Sequence, residues 1–344
     1  SELFKFRGLS RFEQKKYELT IADLTNFLNA QGNTKAKAPV YRALGLAYFK
    51  TEQYPKAIQN LDQAAQKGPK TNEVLLAIGK AHYHQDNYQE AASRLEAIDS
   101  PADPEILGIL GASLFQSGKQ QQAFDPLNQA IIQGQKKAEY FFFRGRVYFN
   151  REDYSNALQD FESAVEQGLA KGMVYAYRGR ARFHLEQYQQ AREDLDMALN
   201  RKYDSPAVYY ARGNTLASLE EYGPAEADLK KILDTDFANG ITYANLARAR
   251  FALKNFEGAV KAAQNAIQQG EDGLEVYEIL GISLFNQNRQ SAIDALNTAA
   301  GKGSENPMVY KNRAAIRLEQ ESYDAALNNL NKAIQLGYTE ADAY

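Results

Sequence analysis

Residues 175–198 read YAYRGRARFHLEQYQQAREDLDMA, and the placing of small and large residues in this stretch decides the fold. Tyr175 stands four residues before Gly179, and Tyr188 stands nine after it. Ala191, Leu195 and Ala198 follow at twelve, sixteen and nineteen. Spacings of three and four keep apolar and small side chains on one stripe of a helix. Gly179 and the later alanines let two helix backbones approach closely, while Tyr188 sits at the short turn and plugs their joint. The stretch reads as a helical hairpin with one apolar side.

The same arrangement recurs along the chain. A small anchor residue appears at Gly8, Gly45, Gly79, Gly111, Gly145, Gly179, Gly213, Ala247, Gly281 and Ala314, in steps of 37, 34, 32, 34, 34, 34, 34, 34 and 33. Four before it stand Phe4, Tyr41, Leu75, Leu107, Phe141, Tyr175, Tyr209, Tyr243, Tyr277 and Tyr310. Nine after it, eight of the ten units carry Tyr or Phe. Pro55 and Pro224 fall just past that aromatic, where the first turn of a helix tolerates proline. Twenty-three after the anchor Gly68, Gly134, Gly168, Gly270 and Gly337 close their units, a place that suits the left-handed residue after a helix end. A hairpin with so large an apolar side is buried only by stacking on its neighbours.

A period of 34 with these columns resembles the tetratricopeptide repeat, over about ten units and essentially the whole chain. The resemblance implies an all-α fold, an alpha-alpha superhelix built as a right-handed solenoid of antiparallel helix pairs, in one array over 1–344. It also implies a protein or peptide partner held on the inner, concave surface lined by the first helix of each pair.

Several places break the rhythm. The step of 37 puts extra residues around Asn33–Ala38. Ser100-Pro101-Ala102-Asp103-Pro104 should end the second helix of repeat three early. Repeat four has Gln120 in place of the turn aromatic and Pro126 inside the second helix, which predicts a kink or a late helix start. Together these mark a bend or seam at 98–127. Repeat nine loses one residue around Asn286–Ser291. Residues 338–344 read as the opening of an eleventh repeat. With no initiator Met and no polar capping helix, the expectation is a segment of a longer chain, with an open C-terminal end available for homo-oligomerisation.

Two columns change character together. The residue before the anchor is Arg7, Arg144, Arg178 and Arg212 in repeats one, five, six and seven, and those repeats carry Asp23, Asp160, Asp194 and Asp228 fifteen after it. Repeats with Leu44, Ile78, Leu110, Leu246 or Leu280 there have Asn60, Arg94, Pro126, Ala262 or Ala295 instead. A buried arginine needs an acceptor, so the expectation is an Arg–Asp pair joining the two helices of each such hairpin. Repeat ten sets Arg313 against Asn329.

The residue after the anchor faces the inner surface and supplies Lys80, Arg146, Arg180, Asn214 and Arg248. Four after it runs an aromatic stripe that includes Phe149, Phe183 and Phe251. Eleven of eighteen arginines lie between 141 and 250. Arginine forks beside aromatic faces suit the carboxylates and carbonyls of a peptide. These eight residues are the expected partner-binding set, against a reading in which the aromatics pack between first helices. The Lys and Asn pattern of dicarboxylate-clamp relatives is absent, which weighs against chaperone tails.

The 344 residues carry a net charge of −3, 24% charged and 44% hydrophobic residues, an ordered composition with no basic footprint for nucleic acid. No apolar run approaches the roughly 18 residues that span a membrane, and no signal peptide opens the chain. The chain has no Cys, which removes disulfides and thiolate chemistry. It fits a bacterial periplasm or cytoplasm, with a slight lean to the extracytoplasmic side. His82 and His84 point to different helix faces, His184 stands alone, and no phosphate loop or nucleophile elbow occurs, so no metal, cofactor or catalytic role is expected. The reading is a non-catalytic scaffold. Its alternative is a structural segment of a larger assembly, membrane-associated or secretion-related, or an oligomerisation module.

Overall fold

The computed structural model describes residues 2–31, 37–99 and 103–339, apart from the side chains of Gln31 and Arg289. The expected insertion at 33–36, the Ser100–Ala102 break and the last residues of the eleventh-repeat motif, 340–344, lie outside the described residues. The chain divides into two compact units, 1–170 and 171–344. The first holds α1 (Glu2–Glu13), α2 (Tyr17–Gln31), α3 (Ala38–Lys50), α4 (Tyr54–Lys67), α5 (Asn72–His84), α6 (Tyr88–Glu96), α7 (Pro104–Gln116), α8 (Gln120–Ile132), α9 (Ala138–Asn150) and α10 (Tyr154–Glu166). The second holds α11 (Gly172–His184), α12 (Tyr188–Asn200), α13 (Pro206–Ser218), α14 (Tyr222–Lys230), α15 (Gly240–Ala252), α16 (Phe256–Gln268), α17 (Leu274–Gln287), a 3₁₀ turn (Arg289–Ala292), α18 (Ile293–Gly301), α19 (Pro307–Glu319) and α20 (Tyr323–Gln335). Each odd helix pairs with the even helix that follows it, giving the serial hairpins of the all-α superhelix class.

The anchor is small because a large residue of the second helix lies against it. A Cβ built on Gly179 would stand 2.8 Å from Leu195 Cγ, and one on Gly45 would stand 2.7 Å from Leu61 Cγ. Repeat eight solves the same contact in reverse. Its anchor has gained a methyl as Ala247, and the residue sixteen on has shrunk to Ala263; both are fully buried. Volume is conserved across the joint, which is what a close-packed interior requires.

The elbow between the helices holds the main surprise. Seven residues after the anchor the backbone is left-handed in nine repeats, yet only Gly118 is glycine. Lys15, Glu52, Asp86, Glu152, Glu186, Glu220, Lys254 and Glu321 adopt φ between 56° and 61°. The geometry closes the first helix: the Glu186 N–H returns to Phe183 O at 3.0 Å and the Gln187 N–H to Arg182 O at 2.9 Å. Repeat nine, short by one residue, lacks this elbow. There α17 runs on to Gln287, Asn288 is extended at φ −150°, and its side chain accepts from the Gln290 N–H at 3.3 Å.

Two expectations need correction. Gly134, Gly168, Gly270 and Gly337 are left-handed, but Gly68 is extended at φ −157°. It is small for another reason: a Cβ there would meet Ala38 Cβ at 2.6 Å. Pro126 does not delay α8, which starts at Gln120 and runs through the proline. Ala123, Leu127 and Ala130 stay in register and buried, so the apolar contact with α7 holds the helix together where one backbone hydrogen bond is lost. The early end of α6, after nine residues, is as the sequence implies, and Asp103 then caps α7 by accepting from the Glu105 N–H at 2.8 Å.

Candidate functional site: the face of the first helices

Most arginines are committed to architecture. Arg7 grips Asp23 through Nε and Nη2 at 2.8 and 2.6 Å, Arg144 grips Asp160 at 2.8 and 2.7 Å, Arg178 grips Asp194 at 2.9 and 2.5 Å, and Arg212 grips Asp228 at 2.6 and 2.9 Å. All four carboxylates are buried. The fork matches both carboxylate oxygens, the arrangement that offsets the cost of removing the charges from water. Hydrogen bonding from Arg7 holds the Asp23 carboxyl below the usual range.

A second reach escapes single-repeat reasoning. Arg144 Nη1 also donates to Asn128 at 2.8 Å and Arg212 Nη1 to Asp196 at 2.7 Å, each acceptor lying on the second helix of the preceding repeat. Arg313 uses the same reach, bonding Asn297 at 3.0 Å, while Asn329 turns to its own helix at Ala325 O. Arg11 and Arg182 add a second cation to Asp23 and Asp194 at 2.6 and 2.7 Å.

The residues expected to bind a partner occupy unlike surroundings. In the first unit, Lys80 pairs with Glu105 at 2.8 Å, and Arg146 lies over the Phe115 and Phe142 rings at 4.8 and 5.7 Å. In the second, Arg180 covers Tyr177 at 5.2 Å. Arg248 forms a fork with Glu275, which raises its already high pKa. Asn214 is only 1% exposed and is wholly engaged: Nδ2 donates to Tyr210 O at 2.8 Å and Oδ1 accepts from Asn245 at 2.7 Å. It presents nothing to an open surface. The aromatics four after the anchor meet the elbow aromatic of their own repeat, Phe149 with Tyr154 at 5.3 Å, Phe183 with Tyr188 at 6.4 Å and Phe251 with Phe256 at 6.0 Å. Edge-on or tilted ring pairs of this kind brace these elbows.

What the columns missed is the acidic residue six before the next anchor. Glu73 accepts from Arg42 at 2.9 Å, and Glu105 and Glu275 face Lys80 and Arg248, so at these three places a carboxylate of the following repeat stands against the cation. The missing signal was there at a spacing that crosses from one repeat to the next.

Within the first unit the first helices of repeats two to five enclose a cleft of about 230 Å³. Phe49, Tyr83 and Tyr140 supply aromatic wall, and Lys80, Glu105, Lys137 and Glu139 supply charge. Gly108 is the device that shapes it, since any Cβ there would run into the Tyr140 ring. Tyr83 donates to Glu139 at 3.4 Å, and burial together with that carboxylate pushes its phenol well up. Tyr88 lies against the Tyr83 ring at 5.6 Å, where a hydrogen bond with Asp86 and burial raise its phenol to about 12. His84 stacks on Tyr54 at 4.8 Å. Such a mixed, open cleft can hold side chains and peptide groups by stacking and hydrogen bonding. Among the described residues no cluster of metal-ligating side chains occurs. Among the same residues, no helix is long and apolar enough to cross a membrane.

The architecture is that of a helical-repeat scaffold, a class whose chemistry is holding. The family model described as a tetratricopeptide repeat matches residues 42–105 and 244–307, and the same helical hairpin recurs at the anchors between and around them. Among solved structures, a tetratricopeptide repeat protein from Parabacteroides merdae is similar at 17% identity over 72% of this chain and 98% of that one, with a TM-score of 0.41. YrrB, described as having an unusual peptide-binding site, is similar at 21% identity over 52% and 92%, with a TM-score of 0.43. Yeast Tom70 is similar at 15% identity over 99% and 92%, with a TM-score of 0.34. No curated protein matches the chain.

Proposed function

We propose that this chain is a non-catalytic scaffold that holds an extended segment of another protein against its first helices, with the cleft of repeats two to five as the principal anchorage. The observation that carries the reading is the cleft itself, where aromatic walls meet charges of both signs on the face the family uses for partners. Tyr83 and Phe49 suit an apolar anchor side chain, while the exposed Lys137 and Glu139 suit charged neighbours along the segment. Arg146 extends the contact within the first unit, and Arg180, Phe183, Arg248 and Phe251 form a separate set within the second. Asn214 supports it from beneath.

The test is selection of binding peptides against the chain, followed by titration of Lys137→Glu and Glu139→Lys. Both side chains are exposed, so the fold should persist while affinity falls by about tenfold or more. Unchanged affinity in both variants would remove the cleft from the reading. Charge reversal at Arg146, Arg180 and Arg248 asks the same of these residues.

A further inference from the structure

The charges around the cleft of repeats two to five are not equivalent. Lys80 and Glu105 neutralise each other at 2.8 Å, and Lys137 lies over the Tyr140 ring at 5.5 Å. Two exposed carboxylates remain. Glu139 accepts from the Tyr83 hydroxyl at 3.4 Å, and Asp86 accepts from the Tyr88 hydroxyl. Among the described residues, neither of these carboxylates forms an ion pair. The phenols do not take up that charge. Burial and Glu139 push the Tyr83 phenol well up, and Asp86 and burial raise that of Tyr88, so both stay neutral donors near pH 7. Two negative charges are therefore held in place by neutral groups.

The rings that hold them are neighbours. Tyr83 and Tyr88 meet edge to face with centroids 5.6 Å apart, and both carboxylates bear on the Tyr88 phenol. An aromatic pair beside unneutralised carboxylates selects a guanidinium. That group is planar and weakly hydrated, so it stacks on a ring while its N–H fork meets a carboxylate. The chain makes this arrangement with its own side chains. Arg178 lies over the Tyr175 ring at 5.2 Å while gripping Asp194, and Arg144 lies over Tyr148 at 5.8 Å while gripping Asp160. In the cleft the rings and the carboxylates are present, and no arginine of the first unit pairs with them.

We infer that the partner segment supplies an arginine here, its guanidinium on the Tyr83 and Tyr88 rings and its N–H groups on Glu139 and Asp86, beside the apolar residue lodged in the cleft. This rests on the cleft reading proposed above and narrows it to segments that are basic at that position.

The probes are peptides selected from a random library against the full chain and kept where their binding protects α5 and α9 from hydrogen exchange. They should share an arginine next to an apolar residue. Replacing that arginine by citrulline, which keeps the shape and loses the charge, should weaken binding by about tenfold in calorimetric titration. Lysine, which restores the charge without the plane, should recover part of the loss. On the protein side, Glu139→Gln and Asp86→Asn keep an acceptor oxygen for each phenol, and asparagine tolerates the left-handed backbone of Asp86, at φ 57°. Each variant should weaken the arginine peptide by about three- to fivefold and the citrulline peptide by less. Circular dichroism checks that both variants keep their helices. Cleft-bound peptides with no shared arginine, or a citrulline peptide that binds as tightly as its arginine parent, would overturn the inference and leave the cleft reading standing. If no selected peptide protects α5 and α9, the cleft reading fails and the inference falls with it.

Discussion

Replacing Asp160 by Ala removes the buried carboxylate that takes both arms of Arg144 at 2.8 and 2.7 Å. The guanidinium, 14% exposed, keeps a single hydrogen bond from Nη1 to the neutral Asn128 amide. Breaking one side of a buried pair costs about 3–5 kcal/mol. The partial exposure of Arg144 and the surviving amide bond place this case at the lower end, about 3 kcal/mol, or a melting point lower by about 6–12 °C for a unit of this size. The reverse variant, Arg144→Ala, strands the carboxylate instead. Burial already holds the Asp160 carboxyl above its ordinary value against the lowering effect of Arg144, and without the guanidinium it rises further, so the variant is relatively favoured at low pH and loses that advantage as pH rises through its folded value. Against wild type, its deficit should therefore shrink between pH 7 and pH 5. Repeat eight shows the remedy, with Leu246 and Ala262 at the same two columns. The double variant Arg144→Leu with Asp160→Ala should return to within about 1 kcal/mol of wild type, because a satisfied apolar pair replaces a satisfied ionic one. Urea titration followed by hydrogen exchange in α9 and α10 reads all three. An Asp160→Ala loss below about 1 kcal/mol would show the clamp to be an ordinary surface pair and refute the reasoning.

Further perturbations probe other features. Gly179→Ala pushes a methyl to 2.8 Å from Leu195 and should cost about 1–3 kcal/mol in melting experiments, with partial recovery on adding Leu195→Ala, the pairing found at Ala247 and Ala263. Asn312 is fully buried with neither amide atom hydrogen-bonded, so Asn312→Leu should stabilise by about 1 kcal/mol in urea unfolding. Glu186→Gly relieves a left-handed φ of 59° and should raise stability by about 0.5 kcal/mol, by the same measurement. Burial, aided by Arg94, holds the His82 pKa below its usual value. The unfolded chain then binds the proton more readily, so stability should fall as pH drops below about 6.5, and His82→Gln should flatten that part of the stability–pH curve.

The hairpins were legible because their contacts repeat at offsets fixed inside one unit. Gly179 against Leu195 and Arg178 against Asp194 recur as columns, and a single sequence with ten copies displays them like an alignment. Contacts between units of the repeat were less legible, since the two partners belong to different copies and the offset shifts with each insertion or deletion. Glu105 beside Lys80, Glu275 beside Arg248 and Asn245 over Asn214 all belong to this group, and each changes what the facing column can offer a partner. The left-handed elbows were hidden for a different reason. Glu186 and Lys254 look like solvated charges at a turn, and only Gly118 carries the residue type that announces positive φ. Tertiary closure of the hairpin overrides a local preference of about 1 kcal/mol.

The backward reach of the arginines has a mechanical corollary. In a linear stack, cohesion is set neighbour by neighbour, and the weakest link decides where fraying begins. Within the second unit, Asp196 rivets repeat seven to six, the Asn245–Asn214 amide joins eight to seven, and the Glu275 fork joins nine to eight. At the joint of repeats nine and ten the arginine meets a neutral acceptor, Asn297, and Lys311 lies over the Phe285 ring at 5.5 Å. This joint should therefore open more readily than the Arg212–Asp196 and Arg248–Glu275 joints, which carry an ion pair.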